Sequence, residues 1–183
     1  MTTRYIALLG AILIIIGSFL PWIPATAFIG PISKNGIDGD GTLSRWDISP
    51  GSPTYGEIVA TFEGHMGGIN SVAISTDGTI VLSGSDDYTI LLWDVETRTI
   101  LRTFTGHTGS VNDVTFSPDG QSFVSASKDT TLILWDIATG EPLHTFEGHT
   151  AEVFQGVFTP DGSNIISGAN DLTTAVWDVT NGS

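Results

Sequence analysis

The feature that most constrains this chain is a sequence repeat with a fixed period of 42 residues. A Gly-His pair and a Trp-Asp pair mark each repeat, and 28 residues separate each histidine from its tryptophan. The pairs run from Gly64-His65 to Trp93-Asp94, from Gly106-His107 to Trp135-Asp136, and from Gly148-His149 to Trp177-Asp178. A repeat of this length indicates stacked supersecondary units, because a single unit cannot bury its apolar face alone.

Each repeat alternates short apolar runs with turn signals, a pattern that predicts β-strands. The turn between the first two runs is Ser75–Gly78, Ser117–Gly120 or Thr159–Gly162. Proline presets the backbone φ angle at such turns, and glycine adopts the positive φ that they require. From Ser33 onward no segment keeps a helical apolar period. The sequence therefore predicts an all-β fold with four short strands in each repeat.

The order of Gly-His, Ser-Pro-Asp-Gly, Ser-x-Asp-x-Thr and Trp-Asp resembles the WD-repeat β-propeller family from Glu57 to Asp178. The resemblance implies three four-stranded antiparallel blades, with repeats at residues 57–98, 99–140 and 141–182 of a propeller segment 57–183. It also implies that a buried, hydrogen-bonded structural tetrad of His, Ser, Asp and Trp holds each blade. The matching residues are His65, Ser83, Asp87, Trp93, His107, Ser125, Asp129, Trp135, His149, Ser167, Asp171 and Trp177.

Three repeats make only a partial propeller, because WD-repeat domains close as a larger ring that leaves no sheet edge exposed. An open stack has two explanations: the chain is a truncated or fused gene product, or it closes by self-association. In the second case, strand Ile58 to Phe62 of one chain completes the last blade of another, which gives a six-bladed ring from two chains.

Residues 33–56 are expected to form a linker that contains a possible degenerate repeat. Asp40 lies six residues before Trp46, the spacing between Asp and Trp in the complete repeats. The positions of the tetrad serine and histidine hold Gly36 and Ser18, so this segment cannot form a full blade. It is either the remnant of a repeat or a coincidental loop.

Residues 1–32 are expected to form an N-terminal membrane anchor. The nineteen residues from Tyr5 to Ile23 carry no charge and are close to the roughly 20 that a transmembrane helix needs. Arg4 favours a cytoplasmic N-terminus, and the blades would then be extracytoplasmic on a single-pass membrane protein. The alternative is a signal peptide cleaved near Ala27, which would leave a secreted domain. The loop after the span resembles the first extracytoplasmic loop of small bacterial membrane proteins.

Composition and spacing exclude several classes of function. With a formal net charge of −14 and six Lys and Arg, the chain is a poor match for nucleic acid. There is no cysteine, and histidines 42 residues apart do not form a zinc site. Asp38, Asp40 and Asp47 lack the glutamate of a calcium loop, since Ser49 stands in its place. We therefore expect no metal and no cofactor.

The sets of His, Ser and Asp resemble a catalytic triad, but they recur three times at one spacing, and an enzyme carries such a site once. The chain is accordingly expected not to be an enzyme. The resemblance implies instead a scaffold that binds protein partners on the narrow face of the blades, and the N-terminal stretch would anchor it to the membrane. The alternative is the extracytoplasmic sensor part of a larger signalling protein. By position, the partner-binding residues would be Gly68, Asn70, Asp86, Ser110, Asn112, Lys128, Glu152, Phe154 and Asn170.

Overall fold

The computed structural model describes residues 26–29, 41–47, 49 and 51–182. All regular secondary structure in these residues is β-strand. The predicted span from Tyr5 to Ile23 lies outside them, and the described part contains no helix that could cross a membrane. The fold discussed below is therefore the antiparallel β part of the chain.

Fourteen strands are present in the described residues. The first seven are β1 (Thr26–Ile29), β2 (Thr42–Asp47), β3 (Ile58–Glu63), β4 (Ile69–Ile74), β5 (Ile80–Ser85), β6 (Ile90–Asp94) and β7 (Ile100–Phe104). The others are β8 (Val111–Phe116), β9 (Ser122–Ser127), β10 (Leu132–Asp136), β11 (Pro142–Phe146), β12 (Val153–Phe158), β13 (Asn164–Ala169) and β14 (Thr174–Asp178).

These strands form four antiparallel sheets in chain order. Sheet 1 is β1-β2-β3, sheet 2 is β4-β5-β6-β7, sheet 3 is β8-β9-β10-β11, and sheet 4 is β12-β13-β14. The outer strand of a sheet comes from the start of the next repeat, as β7 does for sheet 2. Only sheets 2 and 3 therefore have the four strands expected of a blade. Sheet 4 has three strands, instead of the four expected for a third blade.

The stretch 33–56, which was expected to be a linker, contains a strand of a further sheet. Trp46 pairs with Ile58 across β2 and β3, and the register shifts by one residue just before Trp46. Trp93 and Trp135 meet their outer strands with the same one-residue shift. Residues 42–47 thus occupy the third-strand position of a blade and are not a loop.

This pairing also bears on the ring proposed from two chains. That arrangement needs β3 to complete the last sheet of another chain, but β3 is already hydrogen-bonded to β2 of its own chain. A strand exchange would have to break those backbone bonds first. Four sheets per chain, moreover, no longer give the six blades that three repeats suggested.

The core lies between consecutive sheets. In each of the three consecutive pairs of described sheets, one side of a sheet, its forward face, packs on the opposite side, the rear face, of the next sheet in chain order. Between sheets 2 and 3, the Phe104 ring meets the Phe123 ring edge to face at 4.8 Å between centroids. Leu82, Ile90 and Leu92 complete the forward face of sheet 2 in this cluster. Successive side chains of a strand point to opposite sides of the sheet, so alternate residues belong to the forward and the rear face.

Candidate functional site

The residues predicted to form the structural tetrads meet in each repeat, and the second repeat shows the arrangement. His107 Nδ1 lies 2.8 Å from Asp129 Oδ2, and His107 Nε2 lies 2.7 Å from Ser125 Oγ. Trp135 Nε1 donates to the same Ser125 Oγ at 2.8 Å. A carboxylate can only accept, so the imidazole carries its proton on Nδ1, and the serine hydroxyl donates to Nε2. Every polar atom of the set then has a partner.

The other two tetrads repeat these bonds with nearly identical lengths. The histidine-to-serine distance is 2.7 Å in both, and the histidine-to-aspartate distance is 2.9 Å in both. The indole N–H reaches the serine at 2.7 Å and 2.8 Å. The residues are His65, Ser83, Asp87 and Trp93 in the first repeat, and His149, Ser167, Asp171 and Trp177 in the third.

The strand register explains why these side chains meet. Trp135 of β10 stands opposite Phe123 of β9, and Ser125 lies two residues further along β9 on the same face. The hydroxyl is thus a diagonal cross-strand neighbour of the indole. The glycine before each tetrad histidine allows the indole ring of the tetrad tryptophan to approach the backbone closely. A Cβ on Gly106 would lie 3.0 Å from the Trp135 ring, which is tighter than ordinary contact.

The tetrad aspartate fastens two loops together. Asp129 also accepts bonds from the backbone N–H of Thr108 at 2.9 Å and from the hydroxyl of Thr131 at 2.7 Å. Burial raises the pKa of Asp129, but the hydrogen bonds from His107, Thr108 and Thr131 outweigh it and hold the pKa well below its usual range. The carboxylate is therefore ionised at neutral pH and keeps the loop before β8 against the turn before β10.

This geometry does not suit nucleophilic catalysis. Ser83 and Ser125 are 0% exposed, and their hydroxyls already bond an imidazole and an indole. A substrate carbonyl has no access to such an oxygen. No group of three or more metal-ligating side chains occurs within the described residues. Asp47 is held by Ser49, Ser52 and Thr54 of its own turn, while Asp38 and Asp40 lie outside the described part.

The loops that carry the tetrad His and Asp form one end of the sheets, which we call the tetrad face: residues 64–68, 85–88, 106–110, 127–130, 148–152 and 169–172. The nine residues predicted to bind a partner lie on this face or at its edge. Three backbone hydrogen bonds of 2.8 to 2.9 Å connect six of them in pairs. The pairs are Asp86 with Gly68, Lys128 with Ser110, and Asn170 with Glu152.

The remaining three predicted residues sit at β-bulges. Asn70, Asn112 and Phe154 are each skipped in the pairing of an inner strand with its neighbour. A bulge re-aims the side chain of the extra residue. Asn70 and Asn112 use their amides on the following sheet, where they donate to the carbonyls of Val111 at 3.2 Å and Val153 at 2.8 Å. Phe154 makes no such link and is 51% exposed.

Sequence reasoning missed three exposed apolar residues on the tetrad face, namely Met66, Tyr88 and Leu172. Tyr88 and Leu172 have φ angles of 72° and 67°, in the left-handed region that glycine and asparagine favour. Holding such residues there costs on the order of 1 kcal/mol or more each. For Met66 the sequence did carry a signal, since the other two repeats have threonine at this position.

Sequence reasoning also missed a buried carboxylate that bridges three sheets. Asp113 of β8 accepts from the Ser71 hydroxyl of sheet 2 at 2.9 Å and from the Gly156 N–H of sheet 4 at 3.2 Å. Burial raises the pKa of Asp113 above its ordinary value, although these hydrogen bonds act in the opposite direction. The available signal was the presence of a single charged residue, Asp113, in the middle of strand β8.

The tetrad geometry predicts that Ser125→Ala destabilises the fold by about 1–3 kcal/mol, because it leaves a buried indole N–H and an imidazole nitrogen without partners. Urea unfolding followed by tryptophan fluorescence would measure this change. Thr105→Ala, which removes an exposed hydroxyl from the loop before Gly106, is the control and should stay within about 0.5 kcal/mol of the original chain. Equal effects of the two substitutions would contradict the structural role of the tetrad.

Comparison with family models matches the WD domain, G-beta repeat at residues 56–94, 98–136 and 140–178, well over half of the chain. The chain is similar to small ribosomal subunit protein RACK1 of Candida albicans, with 42% identity over 59 residues, or 32% of this chain and 19% of that protein. It is similar to WD repeat-containing protein 18 of Bos taurus, with 48% identity over 41 residues, or 22% and 10%. It also resembles angio-associated migratory cell protein of Homo sapiens, with 39% identity over 70 residues, or 37% and 16%.

The chain spans less than a fifth of the length of each of these relatives. The family match, by contrast, includes the Gly-His and Trp-Asp pairs of all three repeats, between which the tetrads form. On these grounds the chain belongs to the WD domain, G-beta repeat family.

Proposed function

We propose that this WD-repeat chain is a membrane-anchored scaffold that binds a protein partner on the tetrad face. The proposal rests on a difference in the contacts of the three residues at the β-bulges. Asn70 and Asn112 are engaged with the following sheet, whereas Phe154 presents an aromatic ring to solvent. Aromatic residues are enriched at the energetic centres of protein interfaces.

The surroundings of Phe154 supply the polar rim that an interface needs. Glu152, two residues before Phe154 in the chain, accepts a hydrogen bond from the Asn112 amide at 3.0 Å. Lys128 and Asn170 are exposed on the neighbouring turns. Because the tetrads hold these loops, little side-chain and backbone freedom is lost when a partner docks, which favours binding.

The buried tetrads support binding over catalysis, since the serine and histidine that a catalytic triad needs are already held in structural hydrogen bonds. The name of RACK1 describes that relative as a small ribosomal subunit protein, and thus as part of an assembly. By family analogy we extend a role in assembly to this chain. Its net charge of −14 favours partners with a neutral or basic surface.

The tetrad-face proposal predicts that the combined substitution Lys128→Ala and Phe154→Ala abolishes capture of specific membrane proteins by the full chain. The control is Gln121→Ala, an exposed residue beside the Pro-Asp-Gly turn at the opposite end of sheet 3. Quantitative mass spectrometry of proteins retained on each immobilised variant would measure the difference. If the double variant and Gln121→Ala retain the same proteins in the same amounts, the tetrad face is not the binding surface.

The anchoring part of the proposal rests on the uncharged stretch from Tyr5 to Ile23. A further observation favours retention of this stretch over its removal. Strand β1 pairs Thr26 to Ile29 with β2, so cleavage after Ala27 would cut that strand in half. A retained helix would instead lead directly into β1 and the blades.

Retention predicts a full-length chain that stays in the membrane pellet after alkaline carbonate extraction. Replacing both Ile14 and Ile15 by lysine should move it to the soluble fraction, since each charge at a helix centre costs about 2.5–3.5 kcal/mol on insertion scales. Replacing Thr2 and Thr3 by lysine is the matched control and should leave the chain in the pellet. A mature N-terminus at Phe28 by mass spectrometry would contradict the anchor and support secretion.

A further inference from the structure

The outer strands of the sheets expose apolar side chains away from the tetrad face. Strands β3, β7 and β11 each carry a bulge, and the residue skipped in each pairing is apolar: Val59, Leu101 and Leu143. These three residues are 39%, 52% and 49% exposed. A bulge re-aims the side chain of its extra residue. One position of the repeat thus presents an apolar side chain to solvent on each outer strand.

Further apolar residues lie beside these positions. Ile58 and Ile100 precede two of the bulge residues and are exposed, as is Tyr55 on the turn before β3. We call the six residues the rim patch: Tyr55, Ile58, Val59, Ile100, Leu101 and Leu143. A sheet that followed sheet 4 would pack on the face of that sheet and leave these outer edges open. The exposure of the rim patch therefore does not depend on how many sheets follow.

The rim patch lies at the end of the sheets opposite the tetrad face. Ile58 pairs with Trp46 and Ile100 pairs with Trp93, at the first positions of their outer strands. From there the outer strands run toward the histidine loops of the tetrad face. The apolar residues are thus at the far end of these strands from the proposed partner site.

One side chain links neighbouring outer edges at this end. Arg102 of β7 donates to the carbonyls of Ala138 and Thr139, on the turn before β11, at 2.8 and 2.7 Å. This contact holds the outer edge of sheet 2 against that of sheet 3. Leu101 and Leu143, on the two strands beside the contact, therefore belong to one continuous edge.

The uncharged stretch proposed to anchor the chain reaches the fold at the same end. The first residue of β1, Thr26, lies three residues after Ile23 and pairs with Asp47. The carbonyl of Asp47 accepts from the backbone N–H of Gly56 at 2.7 Å, next to Tyr55 of the rim patch. Three residues of chain reach at most about 10 Å. A span that ends at Ile23 would therefore hold this end of the sheets at the bilayer surface.

The rim patch suits a lipid surface better than an added peptide strand. A strand adds to a sheet edge through a regular row of backbone groups, and a bulge on each of β3, β7 and β11 disrupts that row. Tyrosine, as at residue 55, is enriched at membrane interfaces. The charged residues on the adjacent turns have both signs: Glu57, Glu96, Arg98 and Glu141. Apolar contact, and not attraction to lipids of one charge, would therefore drive the binding.

We propose that the rim patch rests in the headgroup layer of the membrane beside the anchor. Its orientation depends on the anchor proposed above. Apolar side chains stabilise such contacts through the area that they bury at the headgroup boundary. Because the span already holds the domain at the surface, the effective concentration of the rim patch is high and weak contacts suffice. The tetrad face then points away from the bilayer and stays open to the extramembrane parts of a partner.

Fluorescence quenching of the full chain in pure lipid vesicles tests this orientation. The chain has no cysteine, so Leu101→Cys and Leu143→Cys each introduce one site for a polarity-sensitive nitrobenzoxadiazole label. Met66→Cys is the control, because Met66 is exposed on the tetrad face. The vesicles are phosphatidylcholine with a spin label on a fraction of the headgroups. We expect blue-shifted emission and quenching of the labels at 101 and 143, and neither effect at 66.

Flotation of the vesicles separates failure of the anchor from failure of the rim patch. If the chain floats with the vesicles but the labels at 101 and 143 are quenched no more than the label at 66, the anchor stands and the rim proposal is overturned. A full chain that does not float contradicts the anchor, and the orientation that depends on it falls as well.

A pair of matched double variants tests whether the rim patch itself makes the contact. With the label on Val59→Cys, the combined Leu101→Ser and Leu143→Ser should reduce the quenching, since they remove apolar area without changing the charge. The control, Met66→Ser with Leu172→Ser, replaces two exposed apolar residues of the tetrad face and should not change it. Equal quenching in the two double variants would overturn the contact. Circular dichroism should show the same fold in both.

Discussion

The buried serine hydroxyl between an imidazole and an indole is the contact on which the rest of this structure depends. It accepts from the tryptophan and donates to the histidine, and the histidine in turn donates to an ionised aspartate. In a low-dielectric interior such a chain of hydrogen bonds is strong when complete and costly when one member is missing. The aspartate then binds backbone N–H groups of two loops, so a buried side-chain contact determines the shape of an exposed surface.

That surface and the blade interfaces are built from the same strands. The bulge on each inner strand aims one residue at the edge of the tetrad face, and in two sheets an asparagine uses this position to bind the following sheet. In sheet 4 the position holds Phe154. At this position an asparagine that contacts the following sheet is therefore replaced by an exposed aromatic ring. The replacement occurs in sheet 4, which also exposes Ile166 and Val176. Asp113 adds a second polar link between sheets 2, 3 and 4.

Much of this arrangement could be predicted from the sequence, because turns and tetrads follow the period of 42 residues. The turn glycines have positive φ, and the predicted His, Ser, Asp and Trp lie together. The strand at 42–47 could not be assigned, since it lacks the tetrad serine and histidine, and only its pairing with β3 identifies it. The bulges could not be predicted from the sequence, because a one-residue shift in strand register does not change the composition. Ile166 and Val176 are as apolar as their buried counterparts, so the sequence alone could not show that they are exposed.

Each tetrad is structural and buries its indole N–H in a hydrogen bond. Hydrogen–deuterium exchange of the tryptophan side chains by NMR measures this burial. The chain has five tryptophans, and we expect strong protection for the indole protons of Trp93, Trp135 and Trp177, with loss of protection at Trp135 in Ser125→Ala. If these three indole protons exchanged as rapidly as those of a solvent-exposed tryptophan, the tetrads would not hold the blades together.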